Sequence, residues 1–476
     1  MKRDLQKFRR SAGDIKELHA LFAKDESGQM TIFGTYLILI MLILGGAGVD
    51  LMYNEMERTR LQAVADRAVL AAADLDQTRV PEEVVRDYFD KSGMGNFVSS
   101  VSVDEGLNYR TVEVNASTTT NTTFMKTLGV PTLKVPAKAV AEEKVNKVEV
   151  SLVLDISGSM KDGNKMAQMQ EAAGAFVDSV LKPENEDLIS VSMIPYSQHV
   201  NAGEDIFNRL NTYQDHNYSH CIEFNDSDFT QTTFDTTRTY EQMQHFQWNY
   251  YSIESGDQLN TMYDTMCPRY DYETIIPFSQ NATYIKQQID QLKPRAGTQI
   301  FLGMKWATAL LDPTFRPVAA DLAQDNVVDD VFAARPVAYS DEDTLKTIVL
   351  MTDGQNSSAA RIQSSYYNSE SEIVHWNNWN FNYYIWRYVR SSRHYRYYYT
   401  KYTEDRSDAL LASICQAAKD NNIVIWSIGF EVGDHGADVM QDCASSPSHF
   451  FRVEGIEIQD AFEAVARQIN QLRLTQ

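Results

Sequence analysis

The residues with the clearest capacity for chemistry are oxygen donors in three separate stretches. Asp155-Ile156-Ser157-Gly158-Ser159 forms one, Thr298 stands in a second, and Asp353, followed by Gly354, in a third. Two carboxylates and three hydroxyls make a hard, all-oxygen ligand set. Mg2+ prefers near-octahedral oxygen coordination and keeps several of its waters, so such a set can bind it without cancelling its charge. An ion left under-neutralised in this way attracts a further carboxylate. The serines read as ligands and not as nucleophiles: the chain has no G-x-S-x-G elbow and no phosphate-binding G-x-x-x-x-G-K-[ST] loop. Nothing else in it points to an enzyme. His216 and His220 have the i, i+4 spacing of a helical ligand pair, but they lack the acidic helper of an H-E-x-x-H motif and read as surface histidines.

Each oxygen-bearing stretch adjoins an element able to hold it. Val148–Asp155 (VEVSLVLD) is a mostly apolar, β-branched run, as expected for a strand buried on both faces. Helices are expected at 165–181, 284–292, 302–311 and 408–421, with a closing helix to about residue 472. Strands are expected at 188–194, 344–353, 423–430 and in the short HFFRV segment. Strands alternating with helices imply an α/β fold, a doubly wound, mostly parallel sheet whose ligands bind at the carboxyl ends of the strands. Two long insertions interrupt it, at about 200–275 and 356–406. The second is dense in Tyr and Trp, which favours an ordered contact surface, with a lid packed on its own domain as the alternative.

The D-x-S-x-S motif, the threonine and the aspartate, in this order, resemble the metal-ion-dependent adhesion site of von Willebrand factor A (VWA) domains, over residues 147–473. The resemblance implies a bound Mg2+, or Mn2+ or Ca2+. Ser157, Ser159 and either Thr298 or Asp353 would touch the metal directly, while Asp155 and often Asp353 act through water. One position would stay open for an acidic side chain of a protein partner. Gly158, Asp162 and Gly163 would complete the loop. In some relatives the threonine and aspartate loops shift together, a motion that a Cys415–Cys443 staple on the last helix would limit.

Upstream, the charge-free stretch Gln29–Val49 is long enough to cross roughly 30 Å of hydrocarbon as a helix, and longer than the apolar core of a cleaved signal peptide. Lys2, Arg3, Lys7, Arg9, Arg10, Lys16 and Lys24 lie on its N-terminal side. The positive-inside rule therefore places residues 1–28 in the cytoplasm and everything after about residue 52 outside. The four cysteines have no metal-finger spacing and suit an oxidising compartment. Four cysteines allow three connectivities; proximity favours Cys221–Cys267 and Cys415–Cys443, with four buried thiols as the alternative. The net charge of -22 argues against nucleic acid as a partner.

Beyond the span, Leu61, Val64, Ala65, Ala68, Val69 and Ala72 recur at helical spacing, continuing the helix to about residue 77. Gly28, Phe33, Gly34 and Asp50, with Leu61, Gln62, Ala65, Asp66, Ala68 and Leu70–Ala73, resemble the N-terminal module of tight-adherence (Tad) pilus-assembly proteins of the TadE/TadG type. Pilin-like members carry a glutamate five residues after the cleaved glycine. Phe33 stands there instead, which argues against pilin-like processing. Alternation between Ser99 and Lys144 reads as strands of a small α+β or β unit. The expected organisation is a cytoplasmic tail (1–28), a transmembrane helix (29–52), a TadE/TadG-like helix with a small β-rich unit (53–146) and a VWA domain (147–476). The expected function is a membrane-anchored, TadG-like protein of pilus assembly or adhesion that binds pilus or cell-envelope components through its metal. One alternative is a VWA regulator of an ATPase, as in chelatase-like systems. Another is a structural envelope protein that recognises partners through its aromatic insertions.

Overall fold

The computed structural model describes residues 27–74, 77, 79–105, 109–144, 147–248, 262, 264–341 and 343–475. The basic tail expected in the cytoplasm lies, up to residue 26, outside them. The chain forms two compact units, Met1–Val145 and Asn146–Gln476.

The first unit is built on α1, a 47-residue helix from Ser27 to Ala73. Its N-terminal half is apolar around the whole circumference and exposed, and is long and apolar enough to cross a membrane. Its C-terminal half buries one stripe, Leu61, Ala65, Ala68, Val69 and Ala72. The alanines let the helix lie close on a three-stranded antiparallel sheet, β1 (Val98–Glu105), β2 (Tyr109–Asn121) and β3 (Thr132–Lys144), in that order. Val112, Val114, Val135 and Ala137 meet the stripe. The short helix α2 (Pro81–Lys91) adds Val84, Val85 and Phe89 to the same core. Its start suits proline at the first position and Glu82 and Glu83 in the first turn, where carboxylates favour the helix dipole.

The second unit is built on a mixed, mostly parallel sheet. In chain order its main elements are β4 (Lys147–Asp155), α3 (Lys165–Val180), β5 (Ile189–Tyr196), β6 (Ile276–Ser279), α4 (Ala282–Ile289), α5 (Ile300–Ala309), α6 (Arg316–Gln324) and β7 (Thr344–Thr352). There follow β8 (Ala359–Ile362), α7 (Glu370–Asn378), α8 (Phe381–Tyr388), β9 (Tyr398–Tyr402), α9 (Glu404–Asp420), β10 (Val424–Phe430), α10 (Asp434–Cys443), β11 (Phe450–Val453) and α11 (Glu457–Thr475). The sheet runs β11-β10-β7-β4-β5-β6, parallel except for the β5–β6 pair. Val148, Val150, Leu152 and Leu154 point to the face covered by α3, α4 and α11, and Val153 to the face covered by α5 and α9. This two-sided burial explains the unbroken apolar run of β4.

Several boundaries depart from expectation for local reasons. The helix expected from residue 408 starts at Glu404 because the Thr403 side chain accepts the Arg406 N–H. That expected from 284 starts at Ala282, capped by Asn281, whose side chain accepts the Tyr284 N–H at 2.9 Å. Strand β6 was not expected. It is an antiparallel edge of four residues containing Pro277, and proline weakens any strand signal.

The insertions are packed and ordered where described. Around Cys221–Cys267, which form a disulfide, Phe224, Phe229, Phe234 and Tyr240 cluster with Trp306. In the other insertion β8 and β9 pair antiparallel, and Trp376 and Phe381 are buried while Trp379, Trp386, Tyr388 and Tyr395 stand exposed. The second disulfide, Cys415–Cys443, ties α9 to α10 and leaves the last helix, α11, outside the staple. His216 is buried and not on a helix, contrary to its reading as a surface residue; its ring stacks on Tyr218 and meets His245 edge-on. Burial pushes the His216 imidazole down to about 4.

Candidate metal centre

Strands β4 and β7 are parallel neighbours in register at Val153 and Leu350, so their carboxyl ends deliver Asp155 and Asp353 side by side. Asp155 is fully buried. One oxygen accepts the Ser157 N–H at 2.7 Å, and the other the Thr352 hydroxyl at 2.6 Å. Burial first, and the nearby charge of Asp353 second, push the Asp155 carboxyl up to about 7.

The hydroxyls link the two carboxylates. Ser157 Oγ and Ser159 Oγ lie 3.1 Å apart, and Ser159 Oγ donates to Asp353 Oδ1 at 2.6 Å. The other Asp353 oxygen accepts the Lys165 ammonium at 3.0 Å, and Lys165 also lies 3.7 Å from Glu431. Gly163, at φ +61, turns the chain between Ser159 and α3 in the left-handed region that glycine tolerates. Asp155, Ser157, Ser159 and Asp353 are thus brought together.

Thr298 is held beside them by its backbone. Gly158 N–H donates to Ala296 O at 3.0 Å and Arg295 N–H to Ile156 O at 2.7 Å, fastening its loop to the first motif. Ser357 clamps it to the third: Ser357 N–H donates to Thr298 O at 2.9 Å, and Thr298 N–H donates to Ser357 Oγ at 3.0 Å. Among the described residues no hydrogen bond joins the Thr298 hydroxyl to the other four side chains.

A polar relay supports these loops from behind. Ile300 N–H donates to Asn356 Oδ1 at 2.7 Å, Asn356 Nδ2 to Asp408 Oδ1 at 2.8 Å, and His435 Nε2 lies 2.8 Å from Asp408 Oδ2. Helix α10 closes over Gly354, so tightly that a Cβ on Gly436 would come 2.8 Å from the Gly354 carbonyl oxygen.

The donor set fits a hard divalent cation. It is all oxygen, its two carboxylates repel each other, and one of them already attracts an ammonium. Among the described residues no group of three or more His, Cys, Asp or Glu side chains could hold a metal, so a site here depends on its hydroxyls. Sequence reasoning missed Lys165, Thr352, Asn356 and Asp408. Only Lys165 left a signal: a lysine at the first position of a helix opposes the dipole and needs a partner.

Residues 28–75 match a family described as putative Flp pilus-assembly TadE/G-like. No curated protein matches the chain. Solved structures similar to it include the vWF domain of the type V pili tip protein Mfa5 from Porphyromonas gingivalis. It is 14% identical, with 70% of this chain and 98% of that one covered and a TM-score of 0.36. The pilus adhesin SpaC from Lactobacillus rhamnosus GG is 13% identical over 79% of this chain and 34% of its own, with a TM-score of 0.34. Proximal thread matrix protein 1 from the mussel byssus, with a zinc occupied MIDAS motif, is 13% identical over 69% of this chain and 46% of its own, with a TM-score of 0.27. The chain joins an N-terminal segment that matches the TadE/G-like family to a domain built on a mixed, mostly parallel six-stranded sheet.

Proposed function

We propose that this chain is a membrane-anchored protein of pilus assembly or adhesion that recognises a protein partner through a divalent metal. The observation that carries the reading is the linkage of Asp155 to Asp353, at the ends of adjacent parallel strands, through Ser157 and Ser159. Ser157 and Ser159 would contact the ion, with Thr298 or Asp353 completing the direct ligands and Asp155 acting through water. Mg2+ suits this oxygen set, with Mn2+ or Ca2+ as alternatives. When bound, the cation supplies positive charge for an acidic side chain of a pilus or cell-envelope component. Asp155 orients the Ser157 backbone, and Thr352 orients Asp155. The role is binding, not catalysis.

The TadE/G-like segment supports a place in pilus assembly. Residues 29–52 are read as the membrane helix, 53–146 as its attached β-rich unit and 147–476 as the recognition domain. The two disulfides support an oxidising location for the bulk of the chain, and the basic N-terminal tail supports an N-in orientation in the bacterial inner membrane. A chelatase-like regulator would work in the cytoplasm, where disulfides are rare.

Titration calorimetry of Mg2+ and Mn2+ into the full-length protein in detergent tests the metal, with Asp155→Ala and Ser159→Ala alongside. Saturable binding that both variants lose supports the reading; no saturable binding by the wild type overturns it. The exposed Trp379, Trp386, Tyr388 and Tyr395 favour a second reading, in which the insertion at 356–406 is itself the recognition surface. Partner binding that survives chelation of metal but fails in Trp386→Ala would select it.

A further inference from the structure

Helix α1 is covered on one face just where its apolar stretch ends. Gly46, Asp50 and Asn54, four residues apart, are buried, whereas Val49, Leu51, Met52 and Tyr53 are exposed. What covers them is the connection between β2 and β3. The Phe124 ring lies over Gly46 so closely that a Cβ there would come 2.3 Å from it. Asp50 accepts three consecutive backbone N–H groups, from Thr123 at 3.0 Å, Phe124 at 2.8 Å and Met125 at 2.7 Å. Asn54 Nδ2 donates to Thr120 Oγ1 at 2.9 Å.

This connection is suited to a place with little water. Three donors satisfy the Asp50 carboxylate, which otherwise would need hydration. Part of the backbone of the connection is paired within it: Thr122 N–H bonds Pro131 O, Thr127 N–H bonds Phe124 O, and Val130 N–H bonds Met125 O, all within 3.1 Å. Gly129 makes the return at φ +88. Non-helical backbone is tolerated at membrane depth only where protein takes up its polar groups, as the Asp50 carboxylate of α1 does for the N–H groups of residues 123–125. Three of the side chains it turns outward are large and apolar, Phe124, Leu128 and Val130 at 42%, 56% and 36% exposed, beside the exposed Thr123 and Thr127. Lys126 is exposed between them, with a stem long enough to carry its charge to the headgroups.

The depth follows from α1. Gly46 lies three residues inside the charge-free stretch that ends at Val49, about 4.5 Å along the axis at 1.5 Å per residue. We infer that the connection spanning 122–131 is a second membrane contact, in which Phe124, Leu128 and Val130 rest among the acyl chains of the leaflet from which the sheet emerges. This rests on reading α1 as a spanning helix. The occupant of the apolar surface is the lipid next to α1, because the surface is continuous with the exposed side of that helix.

The test uses the full-length protein in vesicles of phosphatidylcholine and phosphatidylglycerol. All four native cysteines are disulfide-bonded, so a single added thiol takes an environment-sensitive fluorophore. Three variants are compared: Leu39→Cys in the middle of the apolar half, Leu128→Cys on the connection, and Val140→Cys, exposed on β3 eight residues beyond Thr132, roughly 26 Å along the strand. Lipids spin-labelled near the headgroup should quench the label at 128 at least about twofold more than that at 140, as expected for a group roughly 5–10 Å below the surface. Equal quenching at 128 and 140, with the label at 39 shielded from aqueous iodide, would overturn the inference and leave the spanning helix standing. A label at 39 open to iodide would overturn both.

Discussion

The Lys165 ammonium lies 3.0 Å from Oδ2 of Asp353, while Oδ1 of the same carboxylate holds the Ser159 hydroxyl at 2.6 Å. A tethered cation therefore competes for the charge that a divalent ion would use. In Lys165→Met the competitor is gone, and calorimetry should show Mg2+ affinity higher by about tenfold, or ~1.4 kcal/mol. Unchanged affinity would mean that the ammonium swings aside at no cost.

The Thr352 hydroxyl fixes Asp155 from behind without belonging to the five candidate ligands. Outer groups of this kind are typically worth roughly 10–100-fold in metal affinity. Thr352→Val, which keeps the shape and the strand, should weaken Mg2+ binding by that factor with a native circular-dichroism spectrum. An affinity equal to wild type would show that Asp155 needs no support.

His199, His216 and His245 are buried, and burial pushes them down to about 3, 4 and 3. A histidine depressed in the folded state contributes stability that is present above its unfolded value, near 6.5, and is lost as pH falls toward the folded value. Each can contribute up to about 1.4 kcal/mol per pH unit in that window. The melting temperature should hold from pH 8 to 7 and fall steadily from 6.5 to 4.5, less steeply in a His216→Gln/His245→Gln double variant. A flat profile to pH 5 would contradict neutral burial of the three rings.

The Cys415–Cys443 bond closes a 28-residue separation, worth about 3–4 kcal/mol by loop entropy. Because it holds α10, whose Gly436 abuts Gly354, the Cys415→Ser/Cys443→Ser double variant should lose metal affinity as well as thermal stability. Calorimetry on the folded variant below its melting temperature separates the two effects. Undiminished affinity there would show that packing alone keeps α10 in place.

What could be read ahead of the structure followed from short-range regularities. The strand at β4 announced itself through an apolar run, the stripe on α1 through three-and-four spacing, and the candidate ligands through motif order. Thr403 was equally legible, a threonine followed by Glu404 and Asp405, yet the helix was expected to begin four residues later. The relay through Asn356, Asp408 and His435 was not legible, since pairings across 52 and 27 residues leave no local pattern. His216 misled because a polar imidazole without an acidic helper reads as a surface residue, whereas tertiary packing placed it in a buried aromatic cluster. The seat for Phe124 is of the same kind: Gly46 and Asp50 acquire their role only once a loop some 75 residues later returns to them.

Helix α1 runs without a break for 47 residues, about 70 Å at 1.5 Å per residue. Its lower part is the apolar rod and its upper part the back of the sheet, with no linker between. Tension or torque applied to that sheet therefore passes straight into the helix axis. No slack segment exists there to stretch or swivel, so the first thing such a load would work against is the grip of the apolar rod on its surroundings.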